Sequence, residues 1–197
     1  MKNTIKTIKK SLLVVSVFTA TLGNATEISS TIKEDLKETA LTLKNVKSGD
    51  LLSIKDFNGI TLYKELIKSN GIYKKGFDLT ALPNGEYYFE VDKDLEIKTI
   101  PFTVNANTVE FNKEAEFTVF KPYVRQKGDL VLISKLSPNL EPLNISVYAE
   151  TNGSFELAYS EKIEGTKTIE RIYKLNKGNY KIIFNSNNRE FTKFINN

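Results

Sequence analysis

Two short stretches of this chain follow one pattern: Leu82-Pro83-Asn84-Gly85-Glu86-Tyr87 and Leu175-Asn176-Lys177-Gly178-Asn179-Tyr180. Both read Leu-x-x-Gly-x-Tyr, and they lie 93 residues apart. The leucine fills a core position before a tight turn, and the glycine relieves the backbone as the chain enters a strand. The tyrosine then buries its ring and directs its hydroxyl to the backbone across the corner, which is the tyrosine corner of Greek-key sandwiches. We therefore predict that Leu82, Gly85, Tyr87, Leu175, Gly178 and Tyr180 are structural residues.

A second pair of segments supports an internal duplication. Phe57-Asn58-Gly59 aligns with Thr151-Asn152-Gly153 at an offset of 94 residues. A nearly constant offset at two anchors indicates a repeat of one structural unit. A polar stretch over residues 105–112 separates the two copies. We predict a first domain at residues 26–107 and a second at residues 108–197, after an N-terminal segment of residues 1–25.

Alternation of apolar and polar residues predicts short, half-buried strands in both copies. Turn-forming Asn-Gly and Gly-Asp pairs separate these runs at short intervals. Many short strands at such spacing are typical of an immunoglobulin-like sandwich. The fold class predicted is all-β, with two tandem immunoglobulin-like β-sandwich domains. The alternating runs lie at 41–43, 52–54, 87–91, 95–97, 145–149, 155–159 and 180–184, and the alternation places Phe155, Leu157 and Tyr159 on one face.

Two segments leave an alternative open. Residues 31–43 carry apolar side chains at helical spacing, but strand from Ala40 onward is preferred because it pairs naturally with the run that begins at Leu51. In residues 95–104 the apolar parity changes, and Pro101 lies inside the second phase. A β-bulge on an edge strand would explain both facts.

The N-terminus predicts a secretory signal peptide. A basic region that contains Lys2, Lys6, Lys9 and Lys10 precedes an apolar stretch over residues 11–23, and small residues then lead to a cleavage site after Ala25. The apolar stretch is shorter than the roughly 20 residues of a membrane span. We therefore expect an exported protein with no transmembrane anchor after cleavage, located in the periplasm, at the cell surface or outside the cell.

Composition excludes several function classes. The 197 residues include no Cys and no His, which removes thiolate nucleophiles, the commonest general base and the commonest zinc ligands. The formal charge is +4, and the four lysines of the leader account for all of it. The mature chain is therefore electrically balanced, so it lacks the excess positive charge that attracts nucleic acid. We expect no cofactor and no bound metal.

The first copy resembles a known family. The stretch Val46-x-x-Gly49-Asp50-Leu51 and the stretch Phe77-Asp78-Leu79-x-x-Leu82-Pro83-x-Gly85-x-Tyr87 are similar to the C-terminal sorting domain of the Bacteroidetes type IX (Por) secretion system. The match covers roughly residues 40–104. In the second copy Arg171 replaces Asp78 and Asn176 replaces Pro83, and the chain ends in a basic and apolar strand like the last strand of that family. The resemblance implies a secreted immunoglobulin-like protein and a type IX substrate.

Few residues suggest a catalytic, metal-binding or ligand-binding site. Asp92 and Asp94 in a turn indicate an exposed hairpin rather than a calcium site, because no glycine-bearing ligand loop surrounds them. The acidic residues at 34, 35 and 38 lack a cleft that would separate their pKa values. The adjacent residues Ser134 and Lys135 would face opposite sides of a strand, so they do not form a dyad. Five tyrosines are candidates for a binding face: Tyr63, Tyr73, Tyr88, Tyr148 and Tyr173.

These observations favour a non-catalytic exported protein related to secretion-sorting domains. It would act as secretion cargo or by protein–protein interaction in the cell envelope, with protein partners in the envelope or the secretion machinery. Docking on a sheet surface or strand addition at a sheet edge is the expected mode. The alternative is a carbohydrate-binding or adhesion module with a glycan ligand, which would place several tyrosine rings coplanar on one outer face.

Overall fold

The computed structural model describes the backbone of residues 6–8, 12–15, 30–35 and 38–197, and side chains from residue 41 onward. The chain divides into a first unit, Gly23–Val119, and a second unit that comprises Phe120–Asn197 and Met1–Leu22. Each is a β-sandwich, so the predicted all-β, immunoglobulin-like class is confirmed. The strands of the described part are β1 Lys6–Ile8, β2 Leu12–Val15, β3 Ser30–Asp35, β4 Glu38–Val46, β5 Leu51–Asp56, β6 Thr61–Leu66, β7 Gly71–Phe77, β8 Gly85–Asp92, β9 Glu96–Asn105, β10 Thr108–Phe111, β11 Phe117–Phe120, β12 Tyr123–Lys127, β13 Leu130–Leu136, β14 Leu143–Thr151, β15 Ser154–Ile163, β16 Thr168–Leu175, β17 Asn179–Ser186 and β18 Arg189–Asn196.

In the first unit a three-stranded sheet, β3-β4-β7, packs on a sheet in the order β10-β9-β8-β5-β6, and β11 also pairs with β9. Apolar residues of both sheets form one core. Phe89 lies at its centre with no exposed surface, and its ring centroid is 5.2 Å from that of Phe77 and 5.4 Å from that of Phe102. Residues 31–35 and 38–43 lie in β3 and β4, which pair in antiparallel register, so the helical alternative is wrong for the described part of this segment.

The predicted domain boundary falls inside a hairpin. Strand β10 pairs with β9 from Thr108 opposite Asn105 to Phe111 opposite Phe102, and the division between the units lies instead at residues 119 and 120. The polar stretch at 105–112 is thus a tight turn and its flanking strands rather than a linker. Its left-handed residues, Ala106 and Asn107, adopt φ values of 47° and 61°.

The bulge and the edge position predicted at Pro101 are also wrong. Strand β9 lies between β8 and β10, and its pairing with β8 is continuous through Pro101 opposite Tyr88. The carbonyl of Pro101 accepts from the amide of Asn112, so the proline nitrogen also faces that side. The ladder between β9 and β10 ends at Phe102 opposite Phe111, and Pro101 lies just beyond it. The missing N–H of Pro101 therefore costs no hydrogen bond in that ladder.

In the second unit β14 lies beside β17 in a sheet of order β15-β14-β17-β18. The facing sheet has the order β12-β13-β16-β2-β1, in which β2 pairs with β16 from Ile172 opposite Val15 to Leu175 opposite Leu12. The predicted cleavage site at Ala25 lies outside the described residues. Within the described part, no helix is long and apolar enough to cross a membrane.

The repeated Leu-x-x-Gly-x-Tyr segments open equivalent strands, β8 and β17. The Tyr87 hydroxyl donates to the carbonyl of Pro83 at 2.8 Å, and the Tyr180 hydroxyl donates to the carbonyl of Asn176 at 3.2 Å. Gly178 adopts a φ of 146°, which favours glycine. Both rings are buried, as are Phe89 and Phe184, in agreement with the alternation of these strands. Leu175 is buried and Leu82 packs against the first core, with Gly85 beside the Tyr87 ring.

Candidate binding face

The outer face of the second unit carries an exposed apolar row across its four-stranded sheet. Leu157 lies opposite Tyr148, Tyr148 opposite Lys181, and Lys181 opposite Phe194. Phe155 lies on the same face, one row further along. We call these five residues the sheet-face cluster. Exposed fractions of 37% for Phe155, 58% for Leu157 and 64% for Phe194 leave these side chains accessible to a partner.

A β-bulge places two of these residues on the outer face. Val147 pairs with Tyr159 but the next residue, Tyr148, pairs with Leu157, so Ala158 has no partner in the ladder. An extra residue inverts the side-chain alternation beyond it. Tyr159 therefore packs against the core, whereas Phe155 and Leu157 face outward. The prediction that all three share one face is wrong for this reason.

Lys181 lies among the aromatic rings of the cluster. Its Nζ is 4.9 Å from the ring centroid of Tyr148 and 5.3 Å from that of Phe155. The rings of Phe155 and Phe194 are 6.0 Å apart and inclined at 59°. These distances are those of cation–π contacts and an aromatic pair. In the part of the chain that has been described, Lys181 has no carboxylate partner.

The other residues in the row of Phe155 are polar: Glu150, Asn179 and Asn196. The amide nitrogen of Asn196 donates to the side-chain oxygen of Asn179 at 2.8 Å, and the amide nitrogen of Asn179 donates to Glu150 at 2.7 Å. The other charged residues of this outer face, Glu150, Lys162 and Glu190, lie outside the row formed by Leu157, Tyr148, Lys181 and Phe194. The aromatic residues of that row are of a kind enriched at the centres of protein interfaces.

The row of the first unit that corresponds to Leu157, Tyr148, Lys181 and Phe194 contains different residues. Its sheet pairs Thr61 with Lys55, Lys55 with Tyr88, and Tyr88 with Pro101. The Lys55 ammonium lies 2.6 Å from the Glu90 carboxylate, so the cation of this row is neutralised within the unit. A bulge at Leu62 also occurs in this unit, since Ile54 pairs with Tyr63 and Lys55 with Thr61. Both units have this bulge, and the second unit places Leu157 and Phe194 at the two ends of the row where the first unit has Thr61 and Pro101.

Each unit also has an edge cluster where strands of the two sheets approach. In the second unit Arg171 Nε lies 3.0 Å and 3.2 Å from the two carboxylate oxygens of Glu161, and the Tyr173 hydroxyl donates to the same carboxylate at 2.6 Å. The rings of Tyr159 and Tyr173 meet edge to face at 5.8 Å. Burial, together with the charge of Glu161 and the hydrogen bond to it, raises the pKa of Tyr173 far above its ordinary value.

The first unit repeats this arrangement around Glu65. Tyr63, Tyr73 and Lys75 all donate to its carboxylate, and the rings of Tyr63 and Phe77 meet edge to face at 5.5 Å. Burial raises the pKa of Glu65, but the hydrogen bonds from Lys75 and the two tyrosines outweigh it. The pKa falls from 4.5 to about 2. Tyr63, Tyr73 and Tyr173 are thus structural, and of the five candidate tyrosines only Tyr88 and Tyr148 lie on outer faces.

The Glu65 carboxylate should make the first unit sensitive to acid. Its folded-state pKa lies below that of an unfolded glutamate, so its contribution is complete above about pH 4.5 and is lost as the pH falls toward 2. We expect Glu65→Gln to remove roughly 1 kcal/mol of this pH dependence, because solvent screens part of the interaction. Urea unfolding at pH 7 and pH 3 measures it. The exposed control Glu110→Gln should retain the full dependence, and equal curves for the two variants would contradict the prediction.

The edge clusters have a sequence signal that strand periodicity does not reveal. Tyr63, Glu65, Lys75 and Phe77 correspond to Tyr159, Glu161, Arg171 and Tyr173 at one constant offset of 96 residues. The offset differs from the 93 residues of the corner motif because the first unit inserts a short 3-10 helix, Leu79–Ala81, before the corner. The repeat marks packing rather than function, since both carboxylates are paired within the unit.

The remaining candidates lie apart from one another. Asp94 is exposed and lies 3.8 Å from the Lys47 ammonium. Among the residues that the structure describes, no group of three acidic side chains could hold a metal ion. The side chains at positions 34, 35 and 38 lie outside the described part. Lys135 is buried and donates to the Ser137 hydroxyl at 2.8 Å, but Ser137 has no exposed surface for a substrate. Burial lowers the pKa of Lys135, and Glu141 partly opposes this.

The strand pairing defines the class of the protein as a tandem immunoglobulin-like β-sandwich. No family model matches the chain, and no curated protein matches it. Among solved structures the chain is similar to the FN1-FN3 domains of chicken CNTN1, at 10% identity and a TM-score of 0.25. The similarity covers 87% of this chain and 66% of that one, which is less than two thirds of its length.

Proposed function

We propose that this chain is an exported, non-catalytic interaction module whose second unit binds a protein partner through the sheet-face cluster. The observation that carries the proposal is the contrast between equivalent rows of the two units. In one row the Lys55 charge is neutralised by Glu90, whereas the other row exposes Phe194 and Leu157 and contains Lys181, which has no carboxylate partner among the described residues. A fold shared by both copies does not require exposed aromatic residues, so binding accounts for them better than packing does.

A protein partner fits this face better than a glycan. A flat sugar platform requires rings in one plane, and the Phe155 and Phe194 rings are inclined at 59°. The polar row of Glu150, Asn179 and Asn196 is the feature that favours the glycan alternative, because amide groups bind sugar hydroxyls. The test must therefore separate the two kinds of partner.

The test measures binding of the labelled, exported protein to envelope vesicles from its host. We expect the double variant Phe155→Ser/Phe194→Ser to weaken binding at least tenfold without loss of folding, because both rings are exposed. The matched control is Phe57→Ser/Ile60→Ser in the first unit, whose side chains are 75% and 60% exposed. Protease treatment of the vesicles should abolish binding. Loss after periodate oxidation instead would favour the glycan alternative, and equal binding by both variants would overturn the proposal.

The relation to type IX sorting domains is a further part of this proposal. Its support is the leader of residues 1–25, the motif at residues 77–87 and the basic and apolar final strand, Arg189–Asn196. We expect a chain that begins at Thr26 in exported fractions. Intact mass in periplasm, cell surface and medium measures this. A surface species without most of the second unit would identify that unit as a sorting signal, and a full mature chain confined to the periplasm would contradict the cargo role.

A further inference from the structure

Lys181 is the cation at the centre of the sheet-face cluster, and its surroundings restrict what can bind there. Its neighbours across the sheet are Tyr148 on one side and Phe194 on the other. Its ammonium lies 4.9 Å and 5.3 Å from two aromatic ring centroids. Within the described part of the chain no carboxylate pairs with it. The contacts of this ammonium within the described part of the chain are therefore with the rings of Tyr148 and Phe155.

Any partner that covers the aromatic rings also removes water from this ammonium. Loss of hydration of an unpaired charge opposes binding strongly, whereas a carboxylate placed against it compensates for that loss. The equivalent row of the first unit shows this compensation within one chain, where Glu90 lies 2.6 Å from Lys55. The second unit leaves the anion to be supplied by the partner.

We propose that the partner is an extended protein segment with a carboxylate between two apolar side chains, in the pattern apolar-x-Asp/Glu-x-apolar. The carboxylate contacts Lys181, and the flanking side chains pack on Leu157 at one end of the row and on Phe194 at the other. Three strand spacings separate these two residues, about 14 Å, which matches the roughly 13 Å between the flanking residues of an extended strand. Alternate residues of an extended strand face one side, which places the three groups in a row. This inference rests on the proposed function, because it names the chemistry of the partner for the same face.

A random peptide display library selected on the exported protein tests the inference. We expect selected sequences to be enriched in the pattern above, and we expect a selected peptide to bind Lys181→Met at least tenfold more weakly. Lys181→Arg should retain binding because it retains the charge. Lys193→Met, an exposed lysine of β18 outside the cluster, serves as the matched control. Replacing the acidic residue of the peptide by its amide should cause no additional loss against Lys181→Met, since the two changes remove one contact.

The outcomes separate the inference from the proposed function. Selected peptides that lack acidic residues but fail to bind Phe155→Ser/Phe194→Ser would overturn the inference and leave the binding face in place. Acidic peptides that bind the double phenylalanine variant normally would place the site elsewhere and overturn both. A selection that enriches no sequence would overturn the inference, because the face would then bind no extended segment, and the vesicle assay would still decide the proposed function.

Discussion

Phe89→Ala should destabilise the first unit by about 4 kcal/mol, which is typical of a phenylalanine removed from a well-packed core. Phe89 has no exposed surface, and the rings of Phe77, Phe102 and Phe111 surround it at 5.2, 5.4 and 6.4 Å. Phe102 and Phe111 also pack against each other at 5.4 Å, which limits how far these two rings can move to fill the cavity. A loss of this size is a large part of the stability of a small domain.

Hydrogen exchange read by mass spectrometry measures this effect separately in each unit. We expect faster exchange in β5, β8 and β9 of the first unit. The control Phe57→Ala removes a ring that is 75% exposed and should change stability by less than about 0.5 kcal/mol. Should Phe89→Ala not fold, Phe89→Leu leaves a smaller cavity and a loss of about 1 to 2 kcal/mol. Unchanged exchange in both Phe89 variants would contradict the assigned core.

Glu161→Ala should destabilise the second unit by about 3 kcal/mol, because the hydrogen-bond donors of its carboxylate are largely buried and would lose that acceptor. Glu161 and Arg171 are each 17% exposed, and the Tyr173 hydroxyl donates to the same carboxylate. Removal of the carboxylate leaves Arg171 Nε and the Tyr173 hydroxyl without their acceptor, while Arg171 Nη1 still donates to the carbonyl of Glu170. The aromatic pair of Tyr159 and Tyr173 would then lose the contact that orients it.

Urea unfolding followed by tyrosine fluorescence and circular dichroism measures this loss. The matched control is Glu164→Ala, whose pair with Lys162 has side chains 64% and 57% exposed. Exposed pairs contribute little, so we expect a change below about 0.5 kcal/mol. Equal losses in the two variants would show that the edge cluster does not stabilise the sandwich. Glu161→Gln should recover part of the loss, since an amide oxygen still accepts from Tyr173.

The binding face and the edge clusters have different relations to stability. Edge residues such as Glu161 are satisfied within their unit, so their replacement should affect folding first. Phe155 and Phe194 are exposed on the sheet face, so their replacement should affect binding first. A variant series that includes both kinds therefore separates a folding defect from a binding defect in the same assay.

The sequence by itself determined the class of the fold and much of its core. The strict alternation around Tyr87 and Tyr180 predicted buried rings, and the repeated corner motif predicted two copies of one sandwich. Alternation is reliable there because a strand with one buried face must keep its register. The absence of His and Cys from the chain excludes whole classes of chemistry by composition alone, because no fold can supply a side chain that the sequence lacks.

Only the tertiary structure decided which residues face a partner. Phe155 and Leu157 share a sequence parity with the core residue Tyr159, and one unpaired residue, Ala158, reverses them. The tertiary structure also decided that residues 105–112 belong to the first unit, because β10 pairs with β9 there, and local composition does not reveal strand pairing. A bulge is set by cross-strand hydrogen bonds rather than by local composition, so a single sequence read for periodicity does not reveal it.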